Sequence, residues 1–215
     1  MKQVYILVGP PGSGKGTQAE LLARELGIKS FSSGQILREE IIRKTVIGRE
    51  ADRLLRQGLF MPDDIVCKMM IGRLKSARKA VIFDGFPRNL AQAKIFNDYL
   101  EKHKSINTVI DINLSLSKIF DRILGRLSCQ CGEIFHRKYR PPKKKGLCDY
   151  CGGKLKKRSD DNEKTLRARL RVYQRETKPI IKYYQKKKGY QYFRLNGGGS
   201  VEAVNRMLIK KVKNK

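Results

Sequence analysis

The chain has no tryptophan, two histidines and only 20 acidic residues against 48 lysines and arginines. Its tyrosines and phenylalanines are not interleaved with the basic runs, so the stacking platform of single-strand nucleic-acid binders is missing. Long apolar runs are missing too. The first, Val4 to Val8, is too short for the apolar part of a signal peptide or for a membrane span, so a soluble cytoplasmic protein with no membrane partner is expected. Cysteine is scarce at five, an odd number for an extracellular disulfide framework. There is no internal repeat.

What remains is a 215-residue chain with a formal net charge of +28, long enough to bury one substantial core without disulfides. An excess of that size raises the possibility of a nucleic-acid partner. The lysines are strewn along helices and through the tail Lys210 to Lys215, which reads better as a solvated surface, with arginines gathered around a phosphate substrate. Functional nucleic-acid binding is therefore not the favoured reading.

Val4 to Val8 is a β-favouring apolar run ending at Gly9-Pro10-Pro11-Gly12, a buried parallel strand entering a turn. Ala19, Leu22, Ala23 and Leu26 then repeat at helical spacing and Gly27 sits where the helix should stop. Further strands are expected at Ala80 to Phe83, Thr108 to Ile112 and Tyr190 to Leu195, with a shorter one at Phe31. Strands alternating with helices imply a mainly parallel sheet covered on both faces, with ligands beyond the strands' carboxyl ends. Between Leu127 and Ser159 paired cysteines, glycines and Pro141-Pro142 mark an inserted mini-domain. Helical patterning resumes near Asp160 and runs to about Lys186, with Pro179 expected to kink or break it.

Gly9 to Lys15 reads G-x-x-x-x-G-K between a strand and a helix. Glycines there let backbone N–H groups turn onto phosphate oxygens, the helix adds its positive end, and Lys15 supplies a mobile charge. The general motif continues with a hydroxyl residue that holds Mg²⁺; this chain has Gly16, then Thr17. That leaves Asp84, at the end of its strand, as the magnesium candidate, acting through water, with a helix cap or loop carboxylate as the competing reading.

From Gly9 to Gln18 the chain resembles adenylate kinases, and the resemblance continues in order through Ser32 to Arg38, Asp84 to Arg88 with Gln92, Arg122 and Arg126, Arg158 to Asp161, and Arg169. It implies an α/β fold: a P-loop NTPase-like parallel five-stranded sheet flanked by helices, a helical AMP-binding insertion and a small zinc-bearing lid. The core would be residues 1–31, 62–122 and 159–215, the insertion 32–61 and the lid 123–158, with Gly125 and Ser159 as flexible points. The implied activity is the Mg²⁺-dependent reversible reaction of ATP and AMP to two ADP, in a monomer.

The resemblance further implies that Gly12, Ser13, Gly14, Lys15, Gly16 and Thr17 cradle ATP phosphates, with Arg122, Arg126 and Gly199 completing the ATP site. Arg38 and Arg88 would grip the AMP phosphate, Ser33 and Gln92 would help read adenine, and Gly85 and Met61 would border AMP, together with Arg158 and Arg169. Leu59 to Asp64 would meet AMP through backbone groups, and the Gly197-Gly198-Gly199 turn would pass beside the ATP adenine. The chemistry agrees: the acceptor is already a phosphate anion, so no Ser-His-Asp set is needed. Dense positive charge and exclusion of water are needed, and Lys15, Arg88, Arg126, Arg158 and Arg169 are the catalytic candidates.

Two cysteine pairs remain, Cys129-Gln130-Cys131 and Cys148-Asp149-Tyr150-Cys151, separated by sixteen residues. They read as a structural tetrathiolate zinc site cross-linking a mini-domain too small for its own core. The first pair is C-x-C where zinc-lid adenylate kinases usually show C-x-x-C; His136 is a nearby substitute ligand, and free thiols are the competing state. Cys67 stands apart as a buried thiol. Alternatives left open are a UMP or CMP kinase, since Ser33 and Gln35 stand where the family more often has threonine and aspartate, and a nucleic-acid-binding P-loop protein whose cysteines form a zinc ribbon beside Lys143-Lys144-Lys145.

Overall fold

The structure is a computed structural model that describes residues 1–213. The chain runs β1 (Gln3–Val8), α1 (Lys15–Leu26), β2 (Lys29–Ser32), α2 (Ser33–Ile42), α3 (Val46–Gln57), α4 (Asp63–Ser76), β3 (Ala80–Asp84), α5 (Leu90–Lys102) and β4 (Ile106–Asn113). It continues through α6 (Leu116–Leu124), β5 (Arg126–Ser128), β6 (Ile134–His136), α7 (Glu163–Val172), a π-helical turn (Tyr173–Thr177), α8 (Lys178–Lys186), β7 (Tyr190–Asn196) and α9 (Val201–Lys213).

Five strands form one parallel sheet in the order β2-β3-β1-β4-β7, as the alternating strand and helix signals predict. Alternate residues of β1 feed two cores. Val4, Ile6 and Val8 join Phe83, Phe86 and Phe96 on one face; Tyr5 and Leu7 join Leu22 and Ile110 on the other. The three phenylalanines meet edge to face, with Phe83 and Phe86 centred 5.2 and 4.9 Å from Phe96, the offset geometry aromatic quadrupoles favour.

Local chemistry sets the helix ends. Thr45, Asn89 and Asn162 each accept a backbone N–H of their helix's first turn, at 3.0, 2.8 and 2.9 Å, each stabilising by about 1 kcal/mol. Gly27 and Gly58 close α1 and α3 in the left-handed conformation that costs glycine least.

Two expectations change. Pro179 neither breaks nor ends the helix. Proline offers no N–H, and the chain accommodates it with the π-helical turn, where Lys178 N–H reaches back to the Tyr173 carbonyl. The lysines from 210 to 213 are not a tail but the last turn of α9, anchored by buried Val204, Leu208 and Val212; Asn214 and Lys215 lie outside the described residues.

Between α6 and α7 the short antiparallel pair β5–β6 and the bridges Ser128–Lys156 and Leu147–Lys154 fold a mini-domain. Its core is small: Cys129, Phe135 and Cys148, with Leu127 and Leu155 against them. No helix among the described residues is long and apolar enough to cross a membrane.

Candidate nucleotide site

Because the strands are parallel, the loops after β1, β2 and β3 open at one end of the sheet, and they surround a cleft of about 840 Å³. In the loop after β1, Gly9, Gly12 and Gly14 have φ of 141, 77 and 95°, which only glycine adopts without strain. A Cβ on Gly9 would also stand 2.3 Å from the Ile112 carbonyl oxygen. Among the described residues no side chain caps the N-terminus of α1, which leaves its first N–H groups unclaimed by a capping oxygen. The Ser13 hydroxyl, buried in the same loop, has no hydrogen-bond partner among the described residues.

Lys15 Nζ donates to the Gly9 and Pro10 carbonyls, both at 2.8 Å. Burial, aided by Arg88 and Arg169 and opposed by Asp84 and Asp111, lowers its pKa to about 8. The absent hydroxyl at position 16 has a steric reason. A Cβ on Gly16 would lie 3.3 Å from Asp84 Oδ2, so the carboxylate at the end of β3 fills that space. A hard divalent cation suits this corner, with Asp84 and Thr17 supplying oxygen near the phosphate loop.

On the α2 side Arg38 and Arg88 converge. A Cβ on Gly34 would stand 3.3 Å from Arg38 Nη2 and 3.4 Å from Arg88 Nη2. Arg88 is held at several points: its Nε donates to the Gly85 carbonyl at 2.7 Å, its N–H to Gln92 Oε1 at 2.8 Å, and its carbonyl accepts from Thr177 Oγ1 at 2.7 Å. Its guanidinium lies 5.3 Å from the centre of the Phe60 ring. Burial, then the neighbouring Arg169, lowers its pKa to about 10.

On the mini-domain side Arg126 donates through Nε to Asp161 Oδ2 at 2.7 Å and through Nη2 to Asp161 Oδ1, while Arg169 reaches Asp160 Oδ2 at 3.2 Å. Arg122 is a brace: its guanidinium donates to the carbonyls of Ser13, Gly197 and Gly199 at 3.3, 2.8 and 3.3 Å, tying the phosphate loop to the glycine turn after β7. Arg158 lies in the same cleft, its pKa lowered first by burial and then by Arg126 and Arg38.

Lys15, Arg38, Arg88, Arg126, Arg158 and Arg169 thus line the cleft together with Lys118, Arg122 and Arg140, against the carboxylates of Glu20, Glu39, Asp84, Asp160 and Glu202. Arg38, Arg88 and Arg158 form no ion pair among the described residues, and burial lowers the pKa of all three. Desolvated cations without counter-charges are unfavourable by several kcal/mol, so the arrangement is built for a polyanion.

Most sequence-predicted residues line this cleft: Gly12, Ser13, Gly14, Lys15, Gly16, Thr17, Asp84, Gly85 and Gly199 join the arginines. Ser33, Met61 and Gln92 do not; all three are buried beneath it. Ser33 Oγ donates to the Gly85 carbonyl at 2.7 Å, and Gln92 Nε2 to Asp63 Oδ1 at 2.8 Å, so these polar groups hold the Arg88 loop rather than face the cleft. Leu59 and Phe60 line the wall. Sequence reasoning missed Tyr139 and Thr177, and it gave Phe60, within the expected Leu59 to Asp64 segment, only a backbone role. None belongs to a local motif, and only the tertiary fold brings them to the cleft.

Gly125 is packed, not open: a Cβ there would meet His136 Nε2 at 2.4 Å. The His136 ring is itself committed, Nδ1 accepting from the N–H groups of Lys138 and Tyr139 and Nε2 facing the Asp121 carbonyl, so it is outside the cysteine cluster.

The four paired cysteines converge with all Sγ atoms within 4.8 Å of one another, Cys129 and Cys151 at 3.4 Å and Cys131 and Cys148 at 3.7 Å. A tetrahedral ion with Zn–S bonds of about 2.3 Å requires sulfurs about 3.8 Å apart, so the shortened C-x-C pair still offers a metal-compatible cluster. The left-handed Gly132 and Gly152 turn the two knuckles, and Gly153 admits the sulfurs because a Cβ there would be 3.2 Å from both Cys129 and Cys151 Sγ.

A family model described as adenylate kinase matches residues 7–189. Among curated proteins, an adenylate kinase of Caldicellulosiruptor saccharolyticus is 44% identical over 186 residues, covering 85% of this chain and 86% of that one. An adenylate kinase of Pyrococcus furiosus is 40% identical over 201 residues, covering 93% and 90%, and one of Archaeoglobus fulgidus is 42% identical over 186 residues, covering 85% and 86%. With that family model spanning residues 7–189 and these identities over most of the chain, the chain belongs to the adenylate kinase family.

Proposed function

We propose that this chain catalyses reversible phosphoryl transfer from ATP to AMP, forming two ADP. The observation that carries the proposal is the set of half-buried guanidiniums of Arg38, Arg88 and Arg158, in no ion pair among the described residues, lining one cleft with Lys15. The acceptor phosphate is already an anion, so the protein needs no general base. Its work is to align two polyphosphates, neutralise them and exclude water.

In this reading the N–H groups from Gly12 to Thr17, with Lys15, hold the ATP phosphates. Arg38 and Arg88 hold the AMP phosphate over Gly34, and Arg126, Arg158 and Arg169 stabilise charge on the group in transit. Arg122 positions the phosphate loop against the glycine turn, where Tyr139 and Gly199 offer a wall for the ATP base. Met61, Ser33 and Gln92 act from beneath and Gly85 from the wall, shaping the AMP side. Asp84 would hold Mg²⁺, through water, and the ion would neutralise the β- and γ-oxygens.

Residues 32–61 form the AMP-binding insertion and 123–158 the lid, with the rest as core. The lid excludes water because ATP facing open solvent would be hydrolysed instead of transferring. Cys129, Cys131, Cys148 and Cys151 hold a structural Zn²⁺ within it. The protein acts as a cytoplasmic monomer. ADP formation from MgATP, compared across AMP, UMP, CMP and GMP, tests the assignment. Strong AMP preference supports it, and preference for UMP or CMP reassigns the chain to a sister kinase.

A further inference from the structure

The charge excess is ordered by the fold. Every strand of the parallel sheet begins at a cation or within two residues of one: Lys2 before β1, Lys29 as the first residue of β2, Arg78 and Lys79 before β3, Lys104 two residues before β4 and Lys188 two residues before β7. Since the strands are parallel, these residues share one end of the sheet, opposite the nucleotide cleft and about 17 Å from it along a five-residue strand. The strand starts are level: Gln3 pairs with Ala80 and with Ile106, and Asn107 with Tyr190. Backbone bonds join neighbours in the row, Gln3 N–H to the Lys79 carbonyl at 3.0 Å and Ile106 N–H to the Lys2 carbonyl at 2.9 Å.

In sheet order the row reads Lys29, Lys79, Lys2, Lys104, Lys188, at a strand spacing of about 4.8 Å, so five cations span about 19 Å. Lys29, Arg78, Lys79, Lys104 and Lys188 are exposed, and none of the six cations forms an ion pair among the described residues. Lys2 is half-buried, its ammonium donating to the Leu74 and Lys75 carbonyls, which keeps its charge at the face. Of the acids nearby, Glu101 is held by Lys187 at 2.7 Å and Glu25 by Lys213 at 2.6 Å, while Asp98, close enough to Tyr190 to act on it, forms no ion pair among the described residues.

We infer that this face docks the phosphodiester backbone of a nucleic acid, independently of its sequence. A line of unpaired cations a few ångströms apart matches the linear charge of a strand, which carries one phosphate per about 3.4 Å of helix axis. With no interleaved aromatic platform to stack bases, contact is with the backbone alone. A lipid surface would favour apolar anchors, and the exposed large apolar residues here are Met1 and Ile106.

The test compares two full-length variants that each remove four charges: Lys29→Gln with Lys79→Gln, Lys104→Asn and Lys188→Gln on the row, and Lys68→Gln with Lys94→Gln, Lys164→Gln and Lys182→Gln on other faces. Affinity for a 20-base-pair RNA duplex, the matching DNA duplex and phosphatidylserine vesicles is measured across a salt series. Phosphotransfer activity serves as the check on folding. The inference expects the row variant to lose roughly tenfold or more in RNA affinity and about four units of salt slope, while the control loses less than about twofold. RNA and DNA bound alike confirm backbone docking, and a preference for RNA adds 2′-hydroxyl contact to it. Equal losses in both variants overturn the inference, because net charge alone then explains binding. Vesicles bound more tightly than either duplex, with loss in the row variant, overturn it in favour of a membrane surface.

Discussion

Arg38 and Arg88 come from different elements, yet both guanidiniums reach the same small volume over Gly34, each Nη2 within 3.4 Å of where a Cβ there would sit. Two cations brought that close without carboxylates of their own require an anion between them. Arg88→Ala is expected to lower kcat/KM for AMP by about 100-fold or more. Gly34→Ala is the subtler probe: the added methyl displaces both guanidinium tips by a few tenths of an ångström. It should raise KM for AMP severalfold and leave KM for ATP nearly unchanged. Equal changes for both substrates would place the pair elsewhere in the reaction.

Lys15 gives a pH prediction. Folding lowers its pKa to about 8 from an ordinary lysine value near ~10.4, so above about pH 8 the unfolded chain holds more protons than the folded one. Its contribution makes the ligand-free protein more stable as pH rises through that window, the reverse of a lysine that gains a partner. Nucleotide phosphates should restore the proton. Titration calorimetry in buffers of different ionisation enthalpy should show net proton uptake of up to about 0.5 per site near pH 8 and almost none near pH 6.5. Absence of uptake at pH 8 would mean that Lys15 is fully protonated in the free protein.

Thr177 acts on the site through another residue. Its hydroxyl holds the Arg88 carbonyl from the π-helical turn that precedes Pro179. Thr177→Val leaves a buried carbonyl short of a partner at a cost of about 1–3 kcal/mol and should raise KM for AMP more than KM for ATP. Thr177→Ser should restore the wild-type ratio. If serine behaves like valine, the residue matters for packing alone.

The cysteine cluster predicts about one zinc per chain, released by a strong chelator with a fall in Tm. Cys131→Ser should lose metal and lower Tm. Cys67, whose thiol burial pushes up to about 11, stands apart and should tolerate alanine with zinc content unchanged. Full retention of Tm after chelation would show that the cysteines are free thiols.

The parts legible in the sequence were those whose physics is local. The phosphate loop shows itself because its glycines need positive φ and sit between an apolar strand and a helix. The parallel sheet shows itself because buried strands read as continuous apolar runs. What stayed hidden depended on side-chain direction across the fold. Gln92 and Ser33 lie in the right segments, but their groups turn inward to Asp63 and to Gly85. Phe60 carries no motif, yet it lies against Arg88. Pro179 read as a kink or a break, because only packing of Tyr173 and Thr177 reveals the wider turn that absorbs it. The basic row was invisible in composition, because strand order, not sequence order, aligns it.

Following a labelled γ-phosphate of ATP in the presence of AMP and Mg²⁺ tests the account most directly. The account predicts that the label appears in the β-position of ADP formed from AMP, with little inorganic phosphate, and that Arg88→Ala suppresses this transfer. Label released mainly as inorganic phosphate, at a rate unaffected by AMP, would contradict it.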